Sequence, residues 1–398
     1  MKTIKIIILA QLALIGILLS ISAPAWANLA ANTQIINQAQ LSYFDGLTTK
    51  TATASVTVTV SLVASAPTIV PGPAQSTSYN GSGTTLTDSF TITSTANGPD
   101  TYNLSAAVTG STNTTGPTVV PTAPNVVLGA SVTTIGSTAQ VIVVPADGTS
   151  NSSVNGIEVG DTVVINGESK TVTGISDNAS GTSTITLNSA LVGGAPGAGV
   201  LVAEKKTITT TVTAGTITSS GTDVTVSANI TATSATTPGA TATSASILNT
   251  FTSGVATLTK YVRNVTVPSG TGSPYTYGGN NYYLTSVTAK PGDVLEYLLV
   301  ATNSGAGSVS ASVVTDVVPT RYVSLKTGVY SSGTRDVTYV NDAGAASYLT
   351  SVPDSDAATY AAPTLTVNVG TGATNSAGGT IPGGNKSVLV LYQVTVNP

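Results

Sequence analysis

Acid–base and nucleophilic catalysis rely above all on His and Cys, and this 398-residue chain contains neither. A nucleophile would need a Lys or a carboxylate as its base. Neither Ser-x-x-Lys nor Gly-x-Ser-x-Gly occurs in a strand-to-helix setting that would activate one. Asp354 and Asp356, in Pro353-Asp354-Ser355-Asp356, carry the right atoms to bind a cation. Their loop lacks the Gly and the closing Glu of a calcium hand, so they read as solvated loop acids. The expectation is a chain with no catalytic residue, no metal site and no cofactor.

One loop does carry side chains suited to contact. Tyr275, Tyr277, Tyr282 and Tyr283 cluster around Gly278-Gly279-Asn280-Asn281, and exposed Tyr beside Gly and Asn suits a sugar or a protein surface. The competing reading is that this loop packs on its own domain. Nucleic acid is not an expected partner. The 13 basic residues are outnumbered by 17 acidic ones, and the one adjacent basic pair, Lys205-Lys206, is isolated.

The first 27 residues read as a secretory signal. Lys2 and Lys5 give a positive start, residues 6–21 are apolar and uncharged, and Ala25 and Ala27 place small side chains at a cleavage site before Asn28. Pro24 ends the apolar run short of the roughly 20 residues that cross a bilayer. Removing the signal leaves 371 residues, with 11 basic and 17 acidic, and takes away the single Met and the single Trp. No hydrophobic tail or stop-transfer segment follows, so no transmembrane anchor is expected after signal removal. Without Cys there are no disulfides, so stability must come from burial in extended sheets.

Period-two alternation dominates the rest, which is the mark of strands with one buried face. Over residues 51–63, Ala52, Ala54, Val56, Val58, Val60 and Leu62 share one side, while Thr and Ser share the other. Residues 35–44 give a second strand, and Asp45-Gly46 between them is a turn signal, so 33–63 reads as a long hairpin or a pair of extended arms. Three prolines, Pro67, Pro71 and Pro73, then suggest a boundary. The expected organisation is an extended N-terminal segment (28–63), a first β-sandwich (64–125 with 205–252), a small β-barrel or β-roll inserted into it (126–204), and a second sandwich (253–398). The fold class is all-β, with antiparallel sandwiches of immunoglobulin-like type.

Strand 294–302 departs from simple alternation. Leu295, Tyr297, Leu299 and Ala301 lie on one side, and Val294, Leu298 and Val300 on the other. A sandwich strand with one wet face should not be apolar on both, so its second face must be covered, either from within the chain or by another subunit. Val56, Val58, Val60, Leu62, Val294, Leu298 and Val300 are therefore the candidate subunit contacts.

Lys290-Pro291-Gly292-Asp293-Val294-Leu295-Glu296-Tyr297, followed by Asn303-Ser304-Gly305 and Thr315-Asp316-Val317-Val318-Pro319, resembles the conserved-repeat domain of bacterial and archaeal surface proteins, domain of unknown function eleven. The resemblance covers 255–398 and, more loosely, 32–62. It implies an immunoglobulin-like sandwich on the cell exterior and supplies no catalytic residue. The Gly- and Tyr-rich stretch 268–282 departs from the pattern, as does the single copy. An internal Lys–Asn amide bond among Lys260, Glu296 and Asn397 is disfavoured, because Glu296 lies on the face opposite Tyr297, the family's core position.

These features together predict a secreted or cell-surface, non-enzymatic structural protein. Its expected role is as a subunit of an extracellular filament or surface layer, joined to copies of itself or to other surface proteins by strand addition. The alternative is a monomeric adhesin or carbohydrate-binding protein that takes a glycan.

Overall fold

A computed structural model describes residues 29–219 and 221–398, so Ala25, Ala27 and Asn28, where a signal-cleavage site is expected, lie outside the described part. The described chain is all-β: it has no helix, and 54% of it is strand, antiparallel except where Gln75–Ser78 runs parallel to Ile247–Thr252.

Alternation in the sequence becomes two packed sheets in the first sandwich. Strand Val224–Ser234 is the clearest case. Val224, Val226, Ala228, Ile230 and Ala232 are fully buried, while Thr and Ser side chains between them face outward. This strand pairs with Asp100–Thr112 on one side and Ile247–Thr252 on the other. The facing sheet is built on Thr85–Thr93, which pairs with Leu201–Thr213 and Thr68–Pro71. Between the sheets Phe90, Ile92, Tyr102, Val212 and Phe251 are sealed from water. Each such side chain contributes about 1.5–3 kcal/mol by burial. One polar pair crosses this core: Asn249 Nδ2 donates to Asp88 Oδ2 at 2.9 Å, and both residues are buried.

Leu201–Thr213 also belongs to a second unit. Its first residues pair with Ala130–Val132 and Thr162–Ile165, and its later residues with Thr85–Thr93 and Thr118–Pro121. From Thr162–Ile165 the sheet continues through Glu168–Ser176 and Thr182–Leu187 to Val141–Pro145, and curls until Thr134 N–H reaches the Val143 carbonyl. Ile142, Val144, Val163, Ile165, Ile185 and Leu187 fill the interior of this small barrel. One uninterrupted strand thus crosses from the barrel into the sandwich at residues 204 and 205.

The C-terminal sandwich begins just after Ile247–Thr252. Its larger sheet runs Ala256–Asn264, Val294–Asn303, Lys386–Val396, Val337–Val340 and Ala346–Leu349. The facing sheet contains Val309–Val317 and Thr364–Asn368. Leu299, Val314, Val367, Val390, Tyr392 and Val394 lie in the core between them. The junction with the first sandwich is close and hydrogen-bonded. Ser253 N–H donates to Asp223 Oδ1 at 2.8 Å, Gly307 N–H to the Ser253 carbonyl at 3.0 Å, and Val255 N–H to Asn303 Oδ1 at 2.9 Å. A Cβ at Gly307 would overlap the Thr252 carbonyl, so only Gly permits this approach.

Candidate functional site

Residues 30–63 form a two-stranded ribbon that stands off the first sandwich. Gln34–Phe44 pairs with Thr49–Thr59 in unbroken register, from Gln34 opposite Thr59 to Phe44 opposite Thr49. Asp45 closes the tip by accepting the Leu47 and Thr48 amides at 2.9 and 2.7 Å. Those bonds, the backbone ones first, hold its carboxyl below the ordinary range.

At the base, Asn97 holds both ends of the ribbon. Its Oδ1 accepts Val63 N–H at 2.7 Å, and its Nδ2 donates to the carbonyls of Leu29 and Ser61 at 2.9 and 3.3 Å. Ala31 N–H donates to the Asn97 carbonyl. Ala30 and Ala31 are buried against this loop, and a Cβ on Gly98 would overlap the Ala31 methyl.

Directly opposed residues in an antiparallel pair share a face. The register therefore places Ile35, Ala39, Leu41 and Tyr43 with Val58, Ala54, Ala52 and Lys50, interrupted by Asn37 beside Val56. The other face carries Gln34, Gln38, Gln40 and Ser42 with five Thr and Ser55, and also Ile36 and Phe44. One face is thus predominantly aliphatic, yet none of the described residues covers it: Ile35, Leu41, Val56 and Val58 are 46, 62, 62 and 56% exposed. All 22 strand residues of the ribbon are exposed. Val60 and Leu62, nearer the base, are half-buried.

The other candidate contact face is covered within the chain. Leu298 and Val300 are buried, Val294 is half-buried, and the cover is the tyrosine loop itself. Tyr275–Tyr277 and Asn280–Tyr282 form a short hairpin whose Tyr275, Tyr277 and Tyr282 pack with Tyr261 and Tyr330 over Leu298, Val300, Val340, Leu389 and Leu391. Tyr282 is buried, and Tyr275, Tyr277 and Tyr283 are half-buried. Tyr283 ties the hairpin to the sheet edge by two backbone bonds with Val262, each 2.9 Å. The Tyr261 and Tyr275 rings are 5.2 Å apart.

A buried carboxylate locks this cover in place. Glu296 accepts Arg263 Nε at 2.6 Å, Tyr282 OH at 2.7 Å, Tyr330 OH at 2.8 Å and Gln393 Nε2 at 2.9 Å. Burial pushes the Glu296 pKa up, but the hydrogen bonds outweigh it and hold the carboxyl below its ordinary value. The same burial and the charge on Glu296 raise the phenols of Tyr282 and Tyr330. Arg263 also donates to Asn280 Oδ1 at 2.8 Å, which ties it to the hairpin turn. Beside it a polar hollow of about 280 Å³ is lined by residues including Arg263, Asn264, Ser269, Asn280, Asn281 and Tyr283.

The remaining reactive side chains are kept apart. Lys260 Nζ pairs with Asp316 at 2.6 Å and lies 4.2 Å from the Tyr297 ring, on the face opposite Glu296. Asn397 donates to the Thr320 carbonyl. Lys260, Glu296 and Asn397 therefore do not meet. Asp354 and Asp356 turn onto their own loop, accepting Thr350 Oγ1 at 2.5 Å and Thr350 N–H at 2.7 Å respectively. Among the described residues no group of three or more acidic side chains is placed to hold a metal ion.

No family model matches the chain, and no curated protein matches it.

Proposed function

We propose that this chain is an exported, non-enzymatic structural subunit of an extracellular filament or surface layer, joined to its neighbours by β-strand addition from the segment 33–63. One observation carries the reading: a ribbon with a largely aliphatic face, clamped at its base and exposed along both of its strands. An isolated two-stranded hairpin is marginal in water, and a third strand or an apolar surface stabilises it. Strand addition supplies both, through backbone hydrogen bonds and pockets for alternate side chains.

Export is supported by the signal-like first 27 residues, and a role without catalysis by the lack of His and Cys. The conserved-repeat surface module over 255–398 belongs to the same proposal. Deleting 33–63 should leave soluble monomers. Polymers that form without this segment would contradict the mechanism.

A second reading, a glycan-binding adhesin, draws on the polar hollow beside Arg263, where amide and hydroxyl groups converge. Glycan-array binding that disappears on Asn281→Ala with Tyr283→Ala, both of which line the hollow, would favour it over assembly.

A further inference from the structure

The filament reading leaves open where the ribbon goes, and this inference rests on that reading. The Ala256–Asn264 strand forms the edge of the larger C-terminal sheet. Among the described residues its one ladder partner is Val294–Asn303, and its outer side is tied at Val262 alone, to Tyr283. The backbone edge from Ala256 to Thr259 therefore stands open, up to the Lys260–Asp316 ion pair that bridges the two strands beyond it. Across the gap, Val313–Val317 has one ladder partner, Thr364–Asn368.

Between these two strands lies a groove of about 310 Å³, lined by residues including Leu258, Ala301, Val309, Val313, Val314 and Ile381. None of its lining residues is charged. Leu258 and Val313 are 52 and 47% exposed, so the mouth is open to solvent and the apolar floor is reachable.

We propose that this groove accepts the second ribbon strand, Thr49–Thr59, of another copy of the chain, with Val56 and Val58 seated between Leu258 and Val313. The chemistry of the two surfaces agrees. The inward row of that strand is Ala52, Ala54, Val56 and Val58, all small and uncharged, which suits a shallow aliphatic groove better than Leu41 or Tyr43 on the partner strand. Lys50 and Asp45, the only charged groups of the ribbon, sit at its tip and clear of the groove. The opposite row of Thr and Ser then faces water, as on an ordinary outer sheet surface.

The placement of the two parts makes the contact one between copies. The ribbon base is at Asn97, beyond the end of Thr85–Thr93, and Gln34 lies beside Gly148 of the barrel. The C-terminal sandwich joins the other end, where Thr252 accepts Tyr79 N–H and Ser253 meets Asp223. Strand Thr85–Thr93 alone separates these ends by about 30 Å. A donor at one end and an acceptor at the other is a heterologous contact, which propagates as a chain of subunits unless its rotation closes a ring.

The chain has no Cys, so single substitutions can report the contact by disulfide formation. Mixing the Val56→Cys and Leu258→Cys chains under mild oxidation should give about tenfold or more linked dimer than mixing Val56→Cys with Val192→Cys, because docking raises the local concentration of one thiol at the other. Val192 is a control on the barrel, 93% exposed. Leu258→Lys with Val313→Lys, both at exposed positions, should leave the thermal transition in place and abolish polymers. Equal coupling in the two mixtures, or a Val56→Cys, Leu258→Cys chain that closes its disulfide within itself at high dilution, overturns the proposal. Polymers that need 33–63 but neither couple at Leu258 nor respond to the Lys substitutions leave the filament reading intact and overturn this acceptor. Polymers that survive deletion of 33–63 overturn the reading beneath it.

Discussion

Ile35 lies directly opposite Val58 on the ribbon, and the two side chains pair across the strands while remaining 46 and 56% exposed. Cross-strand pairs of this kind contribute roughly 0.2–1 kcal/mol each, too little to hold an isolated ribbon without the clamp at its base.

Polarity on one face should therefore decide assembly. Val56→Lys with Val58→Lys places two charges in the aliphatic row, and polymers should be lost. Because both positions are exposed, folding stability should change by no more than about 0.5 kcal/mol. Thr57→Lys, between them but on the other face, should leave polymers intact. Light scattering of the three proteins at matched concentration checks the alternation directly.

Asn97→Ala removes the side chain that receives Val63 and donates to Leu29 and Ser61. Each lost hydrogen bond costs about 1 kcal/mol, and the effect should stay local to the base. Hydrogen exchange should speed up at Asn32, Val60 and Val63 while the core of the first sandwich keeps its protection. Polymer formation should slow, because a ribbon free at its base loses more entropy on docking.

Glu296→Gln should destabilise the C-terminal sandwich by roughly 1–3 kcal/mol, since it strips a half-buried Arg263 of its counter-charge and leaves a buried donor around position 296 without its acceptor. The folded-state pKa of Glu296 is depressed below the ordinary 4.5, so its contribution is present above that value and is lost as pH falls through the folded pKa. The stability gap between wild type and Glu296→Gln should accordingly narrow in acid. Chemical denaturation at neutral and acidic pH, followed by tyrosine fluorescence, measures it.

Asp88 behaves in the opposite sense. Burial raises its carboxyl pKa above the ordinary 3.8, opposed by the hydrogen bond from Asn249. Between 3.8 and the raised folded value, the folded chain keeps a proton that the unfolded chain releases, so stability falls as pH rises through that window. Asp88→Asn keeps an oxygen to accept Asn249 Nδ2 and has no charge to bury. It should be at least as stable as wild type at neutral pH and should lack this part of the pH slope.

Much of the fold was legible because period two is written plainly in the sequence. The ribbon strands, expected over 35–44 and 51–63, occupy Gln34–Phe44 and Thr49–Thr59. Parity placed Leu298 and Val300 on a face that needed a cover, and they are buried. What supplies the cover was less legible, because Tyr275, Tyr277 and Tyr282 sit in a Gly-rich stretch with no sustained period. The tyrosine loop and strand 294–302, for each of which packing within the chain competed with an outside contact, are each other's partner. Glu296 escaped recognition as an organising group because its donors, Arg263, Tyr282, Tyr330 and Gln393, are scattered along the chain. Asn97 likewise sits in a turn-like stretch, Asn97-Gly98-Pro99-Asp100, and nothing local reveals that Leu29, Ser61 and Val63 arrive there. The nearest signal was Gly98, which leaves room for Ala31.

Electron microscopy of the purified chain from Asn28 onward, beside the same chain lacking residues 33–63, tests the central claim most directly. The account predicts filaments or ordered layers from the first and single particles from the second. Filaments from both, or single particles from the intact chain at every concentration, would contradict it.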